Sequence, residues 1–115
     1  MFITMCKSKI HKARITKKEL YYEGSIGIDK ALLSASEINP YEKVQVVNLN
    51  NGERFETYCI PEKNGKGDVV LYGPAARLGE VGDLIIVISY ALVDSEKAKA
   101  LKIKVINVDK NNRVL

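Results

Sequence analysis

The apolar positions of this chain come in short runs of strand character, broken every few residues by turn formers. "KVQVVNL" (43–49) and "ERFETYCI" (53–60) are rich in β-branched and aromatic residues, "DVVLY" (68–72) is a short apolar run, and "LIIVISYALV" (84–93) is a continuous one. A run of that length is too short to cross a bilayer as a helix and reads as a buried strand covered on both faces. Further strands are predicted over 2–5 and 9–16, as one strand or a bent pair, over 25–28 and over 103–109. Between them stand the turn signals "NNG" (50–52), "NGKG" (64–67) and "VGD" (81–83). Asn-Gly between β-prone segments marks a hairpin, since both residues accept φ > 0. Helices are confined to short pieces. Asp29 is placed to cap one through about Ser36, Gly73-Pro74 suits a helix start, and "DSEKAKALK" (94–102) predicts another. Short strands at this turn density predict a mainly β protein built as a closed barrel rather than a sandwich.

Length and composition narrow this further. The 115 residues fit a single domain, 1–115, long enough to bury roughly two-thirds of its unfolded surface. With 46% apolar and 28% charged residues the chain is not of the disordered class. The N-terminus has no positive region ahead of an apolar one, so no signal peptide is expected and a cytoplasmic location follows. Cys6 and Cys59 form no CxxC pair and are expected as free thiols. One histidine, His11, and no clustered cysteines or carboxylates leave no metal constellation, so no metal is expected. There is no G-x-S-x-G elbow, P-loop or GxGxxG.

The net charge of +4 is unevenly spread: residues 7–18, "KSKIHKARITKK", hold six Lys or Arg and no acid. Such a run attracts phosphates or small anions, or is simply a solvated strand face.

Within "YYEGSIGID" (21–29), Gly24-Ser25 offers an unhindered carbonyl followed by a hydroxyl. Alone the pair is an ordinary turn. It also permits self-cleavage. The hydroxyl attacks the preceding carbonyl, the peptide shifts to an ester, elimination cuts the chain and leaves dehydroalanine, and hydrolysis gives a pyruvoyl group. This chemistry needs a distorted peptide, which glycine allows, and a donor to the tetrahedral oxyanion. Its product is a carbonyl fixed to the protein, able to form a Schiff base with an amine and act as an electron sink.

Five segments, "SKIHKARIT" (8–16), "YYEGSIGID" (21–29), "NGERFETY" (51–58), "GPAAR" (73–77) and "VGD" with the apolar strand after it (81–93), together resemble the pyruvoyl-dependent aspartate 1-decarboxylases. The specificity rests on "YEGS" followed by the "NG.RF.TY" strand. The resemblance implies a double-psi β-barrel with short helices and a homotetramer with active sites between subunits. It implies cleavage into residues 1–24 (β chain) and 25–115 (α chain), a covalent pyruvoyl group derived from Ser25, and L-aspartate as substrate. The product would be β-alanine for pantothenate synthesis, with no nucleic acid or membrane involved; nothing in the sequence points to a maturation factor. Matched position by position, Gly24-Ser25 is the cleavage site. Thr57 resembles the hydroxyl that assists cleavage and contacts substrate, and Tyr58 the acid that reprotonates the carbanion. Lys9 and Arg54 resemble the cations that hold substrate carboxylate, and Gly73, Pro74 and Ala75 the substrate-contacting backbone. His11 and Tyr22 match supporting positions. The chain departs from the pattern at Tyr72, where asparagine is most often expected and a phenol replaces an amide donor, and at Ile26, where some members have cysteine. Pro74 has no N–H, so a main-chain donor there must come from Gly73 or Ala75.

Strand geometry agrees only in part. Arg54 and Tyr58 are four apart and share a face, whereas strict alternation puts Thr57 on the other, so a bulge, a strong twist or a subunit interface is required to unite them. The alternative from another class is a non-enzymatic basic β-barrel that binds nucleic acid. It is favoured by the basic run and opposed by the low aromatic content (7%, no Trp).

Overall fold

The computed structural model describes residues 1–115. Its strands are β1 (Phe2–Arg14), β2 (Lys17–Glu19), β3 (Ser25–Asp29), β4 (Lys43–Asn48), β5 (Arg54–Glu62), β6 (Val69–Tyr72), β7 (Leu84–Asp94) and β8 (Lys104–Asn107). One α-helix, α1 (Lys30–Ser36), and two 3-10 turns, Gly73–Arg77 and Ala98–Ala100, complete it. The strands form one ladder in the order β2-β6-β3-β5-β4-β7-β1-β8. Its two ends are joined by the chain itself. β1 lies beside β7 and β8 at one end, yet only Ile15 and Thr16 separate it from β2, which pairs with β6 at the other. The linker is tied into the ring where Thr16 N–H donates to Val69 O (2.8 Å) and Val69 N–H to the Thr16 hydroxyl (3.0 Å). Asn112 adds a side-chain rung, donating to Arg14 O and Gly67 O and accepting from Arg14 N–H. This mainly β architecture, an eight-stranded sheet whose outer parts are linked by the chain at Ile15 and Thr16, is compatible with the small double-psi barrel expected from the sequence.

The core follows the inward alternation of the strands: Ile10, Ile26, Ile28, Val44, Val46, Val69, Leu71, Ile85 and Val87 are all buried, and α1 adds Leu32 and Leu33. Each such side chain contributes about 1.5–3 kcal/mol relative to exposure. β1 is one long strand rather than two. Its bends are register shifts against β7 between Cys6 and Ser8 and between His11 and Ala13, the second beside Lys12 at φ 64°.

Helix α1 is capped as the sequence predicts, with the Asp29 carboxylate accepting from Ala31 N–H at 2.8 Å. The same buried carboxylate accepts from Gly65 N–H (2.9 Å) and Gly67 N–H (2.6 Å), so one side chain ends β3, starts α1 and fixes the "NGKG" loop. Burial by itself raises its pKa, but donation from Gly65, Ala31 and Gly67, with Arg113 nearby, outweighs this and holds it below its ordinary value.

Two expectations are corrected and one strand was not foreseen. The helix predicted over 94–102 is only a turn at Ala98–Ala100, none of whose residues is buried; without an apolar face to pack, the Lys and Glu helix formers do not suffice. β2 is a three-residue, fully exposed strand with no apolar signal to betray it. In the 50–52 turn only Gly52 takes positive φ (77°), while the Asn51 side chain accepts from Glu53 N–H at 2.9 Å.

β7 pairs with β1 and β4 on its two edges, but its apolar character is only half used. Ile85, Val87 and Ile88 are buried, whereas Leu92 is 70% exposed and Phe2, near it on β1, 64%.

Candidate active site

Ser25 opens β3, between β6 and β5: it sits opposite Tyr72, and the next residue, Ile26, opposite Leu71 and Cys59. Its side chain is 1% exposed, and its hydroxyl has no hydrogen-bond partner. A buried hydroxyl left unpaired is uncommon and costs roughly 1–3 kcal/mol, so it calls for a reason. Immediately before it, Gly24 holds φ 115°, a conformation that a side chain would resist.

The 3-10 turn at Gly73–Arg77 is pressed against this peptide. Gly73 takes φ 65°, and a Cβ on it would stand 2.7 Å from Tyr22 O and 2.8 Å from Gly24 Cα. Only glycine admits that approach. The Pro74 ring also packs on Gly24, 3.6 Å from where a Cβ would project.

Ser25 lies where two clefts meet. The first, of about 300 Å³, is lined by Glu23, Gly24, Ser25, Phe55, Glu56, Thr57, Tyr58, Tyr72, Pro74, Ala75 and Leu78. The second, of about 630 Å³, is lined by Tyr22, Glu23, Ser25, Tyr41, Tyr58, Ile60 and Pro61. Thr57 and Tyr58 therefore face one cleft although they are adjacent on β5. No bulge is responsible, since β4 and β5 pair without a break from Lys43↔Tyr58 to Val47↔Arg54. β3 instead meets β5 only from Cys59 onward, because the chain turns away at Gly24. The free edge of Phe55–Tyr58 is thus open to the cleft, and an edge presents successive residues where a face presents alternate ones.

The candidate cations stand elsewhere within one protomer. Neither Ser25 cleft is lined by Lys9, His11 or Arg54. Lys9 and His11 lie on β1, opposite Ile88 and Ile86 of β7 and Val105 and Asn107 of β8. Arg54 is exposed and donates to Gln45 Oε1 at 3.1 Å, which also accepts from the Tyr90 hydroxyl at 2.6 Å. The basic run does not form a continuous patch either: Lys7 pairs with Glu42 (3.0 Å), Lys18 with Glu80 (2.9 Å) and Lys17 with Asp68 (3.7 Å). That favours individual roles over a nucleic-acid surface.

Tyr72 does not take up the duty of an amide facing Ser25. Its hydroxyl donates to Glu62 Oε2 at 2.9 Å, and its ring lies 4.5 Å from that of Tyr22. Burial, then the hydrogen bond to Glu62 and its negative charge, raise the Tyr72 pKa, so the phenol remains a donor. Glu62 was not legible as a neighbour of this site. The available signal was Gly27, whose missing side chain leaves room for the Glu62 carboxylate: a Cβ there would be 2.8 Å from Glu62 Cδ. Glu23 and Glu56 also line the cleft, and no motif in the sequence marks them.

No group of three or more His, Cys, Asp or Glu could hold a metal ion. No helix is long and apolar enough to cross a membrane.

Comparison with known proteins places the same residues in a family. The model of the aspartate decarboxylase family matches residues 1–115. A protein of Thermoanaerobacter pseudethanolicus named aspartate 1-decarboxylase is 56% identical over 109 residues, 95% of this chain and 93% of its own length. Proteins of the same name from Campylobacter jejuni and Cytophaga hutchinsonii are 58% identical over 112 residues (97% of this chain, 88% of the relative) and 54% identical over 115 residues (all of both). With a whole-length family match and relatives this similar across nearly their full lengths, the chain belongs to the aspartate decarboxylase family.

Proposed function

We propose that this protein cleaves itself at Gly24-Ser25 and then decarboxylates L-aspartate to β-alanine and CO2, supplying β-alanine for pantothenate synthesis. The observation that carries the reading is the Ser25 hydroxyl, buried and unpartnered directly after a glycine at φ 115°. It directly follows the carbonyl it has to attack and is held by no competing hydrogen bond.

In the cleavage, Ser25 Oγ adds to the Gly24 carbonyl carbon, the Gly24–Ser25 C–N bond breaks, and the acyl group passes to oxygen. Loss of the Ser25 α-proton then expels the Gly24 carboxylate by breaking the Cβ–O bond. Water converts the resulting dehydroalanine to the pyruvoyl group with release of ammonia. Residues 1–24 and 25–115 become separate chains. The Thr57 hydroxyl, in the same cleft, assists by donating to the oxyanion. The surroundings fit a small carbonyl at residue 25: the open β5 edge gives access from one side, and Gly73, Pro74 and Ala75 wall the other.

A pyruvoyl group at residue 25, bordered by Thr57, Tyr58, Pro74 and Ala75, would supply an electrophilic carbonyl for an amine and an electron sink for decarboxylation. Around it, Tyr58, which lines the cleft and is 42% exposed, delivers a proton to the substrate α-carbon and regains one from water. Arg54 and Lys9 hold the substrate carboxylates. Their position outside the Ser25 clefts of their own protomer supports a homotetramer with sites completed between subunits, as do the exposed Phe2 and Leu92. His11 and Tyr22 support the site.

The test follows L-aspartate and the purified protein by proton NMR. β-Alanine should appear with wild type and not with Ser25→Ala. Absence of β-alanine from a fully cleaved wild-type preparation would reject the substrate.

A further inference from the structure

Glu62, Tyr72 and Tyr22 are joined by contacts that cross the scissile bond. β3 lies between β5 and β6, with Asp29 opposite Glu62 and Ser25 opposite Tyr72. Paired residues face the same side of a sheet, and alternate residues of a strand do too, so Glu62, Gly27 and Tyr72 share one face. The Glu62 carboxylate lies over Gly27, where even a methyl group would collide with it, and there it receives the Tyr72 hydroxyl at 2.9 Å. From the other side of the Tyr72 ring the contact continues to Tyr22, centroid to centroid 4.5 Å at 37°. Tyr72 is therefore fixed to the chain two residues before Gly24 and, through Glu62, across the strand two residues after Ser25.

From this geometry we infer that the Glu62–Tyr72–Tyr22 strap is a positioning device for self-cleavage, holding the Gly24-Ser25 peptide distorted while Ser25 attacks. The inference rests on the self-processing reading above. Attack of a hydroxyl on its own preceding carbonyl closes a five-membered ring at the cost of the amide's resonance and planarity, and it is favoured where the flanking backbone holds the peptide distorted. Gly24 alone supplies freedom, not restraint. Upstream, Tyr21, Tyr22 and Glu23 are exposed and belong to no strand or helix, so their support comes from the approach of Gly73 to the Tyr22 backbone and from the strap. The strap restrains them from the ordered side of the bond. Gly27 is part of the device because no larger residue would let the carboxylate cross β3. Burial and the Glu62 charge keep the Tyr72 phenol protonated, as a donor must be.

The test is a pulse-chase of cell-free synthesised full-length chain, reading cleavage on a gel. Tyr72→Phe keeps the ring and its stacking but removes the donor, and Glu62→Ala removes the acceptor. Both should slow cleavage roughly 10-fold, the weight of one hydrogen bond to a charged acceptor. Glu62→Gln keeps an acceptor oxygen and should cleave within about twofold of wild type, the size of a weakened bond. Once processed, Glu62→Ala should lose less in kcat per cleaved chain than it loses in cleavage rate, since Glu62 lines neither Ser25 cleft. Its rate of cleavage and its rate of turnover should therefore separate, which a general loss of structure would not produce. Normal cleavage by Tyr72→Phe, even if Glu62→Ala fails to fold, overturns the strap, and so does equal slowing by Glu62→Gln and Glu62→Ala. A wild-type chain that never cleaves overturns the processing reading itself.

Discussion

Gly73 rests against Gly24 so closely that a single added methyl group would lie 2.8 Å from Gly24 Cα and 2.9 Å from Gly24 N. In the self-processing reading the two glycines act together: Gly24, at φ 115°, would let the peptide to be cut twist, and Gly73 lets the neighbouring turn come near. Gly73→Ala should therefore damage processing before anything else. It combines φ 65° with a clash against backbone, which cannot move aside as a flexible side chain can. Together these cost about 2–4 kcal/mol. The expected result is a lower melting temperature and mostly uncleaved protein, read by calorimetry and gel.

The free edge of β5 separates the roles of neighbouring residues. Thr57→Val keeps shape and removes the hydroxyl, so it should stall cleavage before turnover can be measured. Tyr58→Phe keeps the ring and should cleave normally, then lose roughly 10²–10⁴ in kcat, the usual worth of a general acid. Arg54→Lys keeps charge but not the guanidinium fork, so its loss should fall mainly on kcat/KM. Normal turnover by processed Tyr58→Phe would assign the proton to another group in the clefts, Tyr22 being the nearest candidate by chemistry.

Asp29 predicts a pH dependence of stability. Its pKa is lowered in the fold, so its contribution is complete above the unfolded value near 3.8 and is lost as pH falls through the lower folded value. Glu42 has the same sign: burial opposes its charge, but the Ser89 hydroxyl, Asn39 N–H and Lys7 hold its pKa below the ordinary 4.5. Denaturant melts should be level near neutrality and weaken below about pH 4.5. Asp29→Asn sets an amide NH2 against an N–H donor of the loop or of α1, should cost about 2–3 kcal/mol at pH 7, and should flatten the acid limb.

Much of this fold is readable from the sequence because local and tertiary forces agree. Asp29 before a helix-permissive run gives its capped helix, and Asn-Gly between β-prone runs and the apolar 84–93 segment give their turn and strand, though with Asn51 outside positive φ and Leu92 exposed. The failures are informative in the same terms. Residues 94–102 have helix formers but no buried face, so packing does not select the helix. Lys17–Glu19 is a strand only because the barrel needs Thr16 and its neighbours to close on β6. The union of Thr57 with Tyr58 depends on where β3 starts relative to β5, a long-range register that neither strand encodes alone. Lys9 and Arg54 are plausible by residue type but stand outside the protomer's clefts, and a sequence does not state which surfaces of its copies will meet.

Assembly is open to direct measurement. Light scattering at micromolar concentration should give the mass of a tetramer. Leu92→Asp, which places a charge in the exposed apolar end of β7, should shift the mass downward and reduce activity per cleaved chain. A wild-type monomer with full activity would remove Lys9 and Arg54 from the site, since neither lines a Ser25 cleft of its own protomer.

The most direct measurement of the central claim is the intact mass of the purified, active protein under denaturing conditions. Self-processing at Gly24-Ser25 predicts two species, residues 1–24 ending in a carboxylate and residues 25–115 beginning with a pyruvoyl group, while Ser25→Ala gives one uncut chain without activity. A wild-type preparation at full activity that shows only the uncut chain would contradict the account.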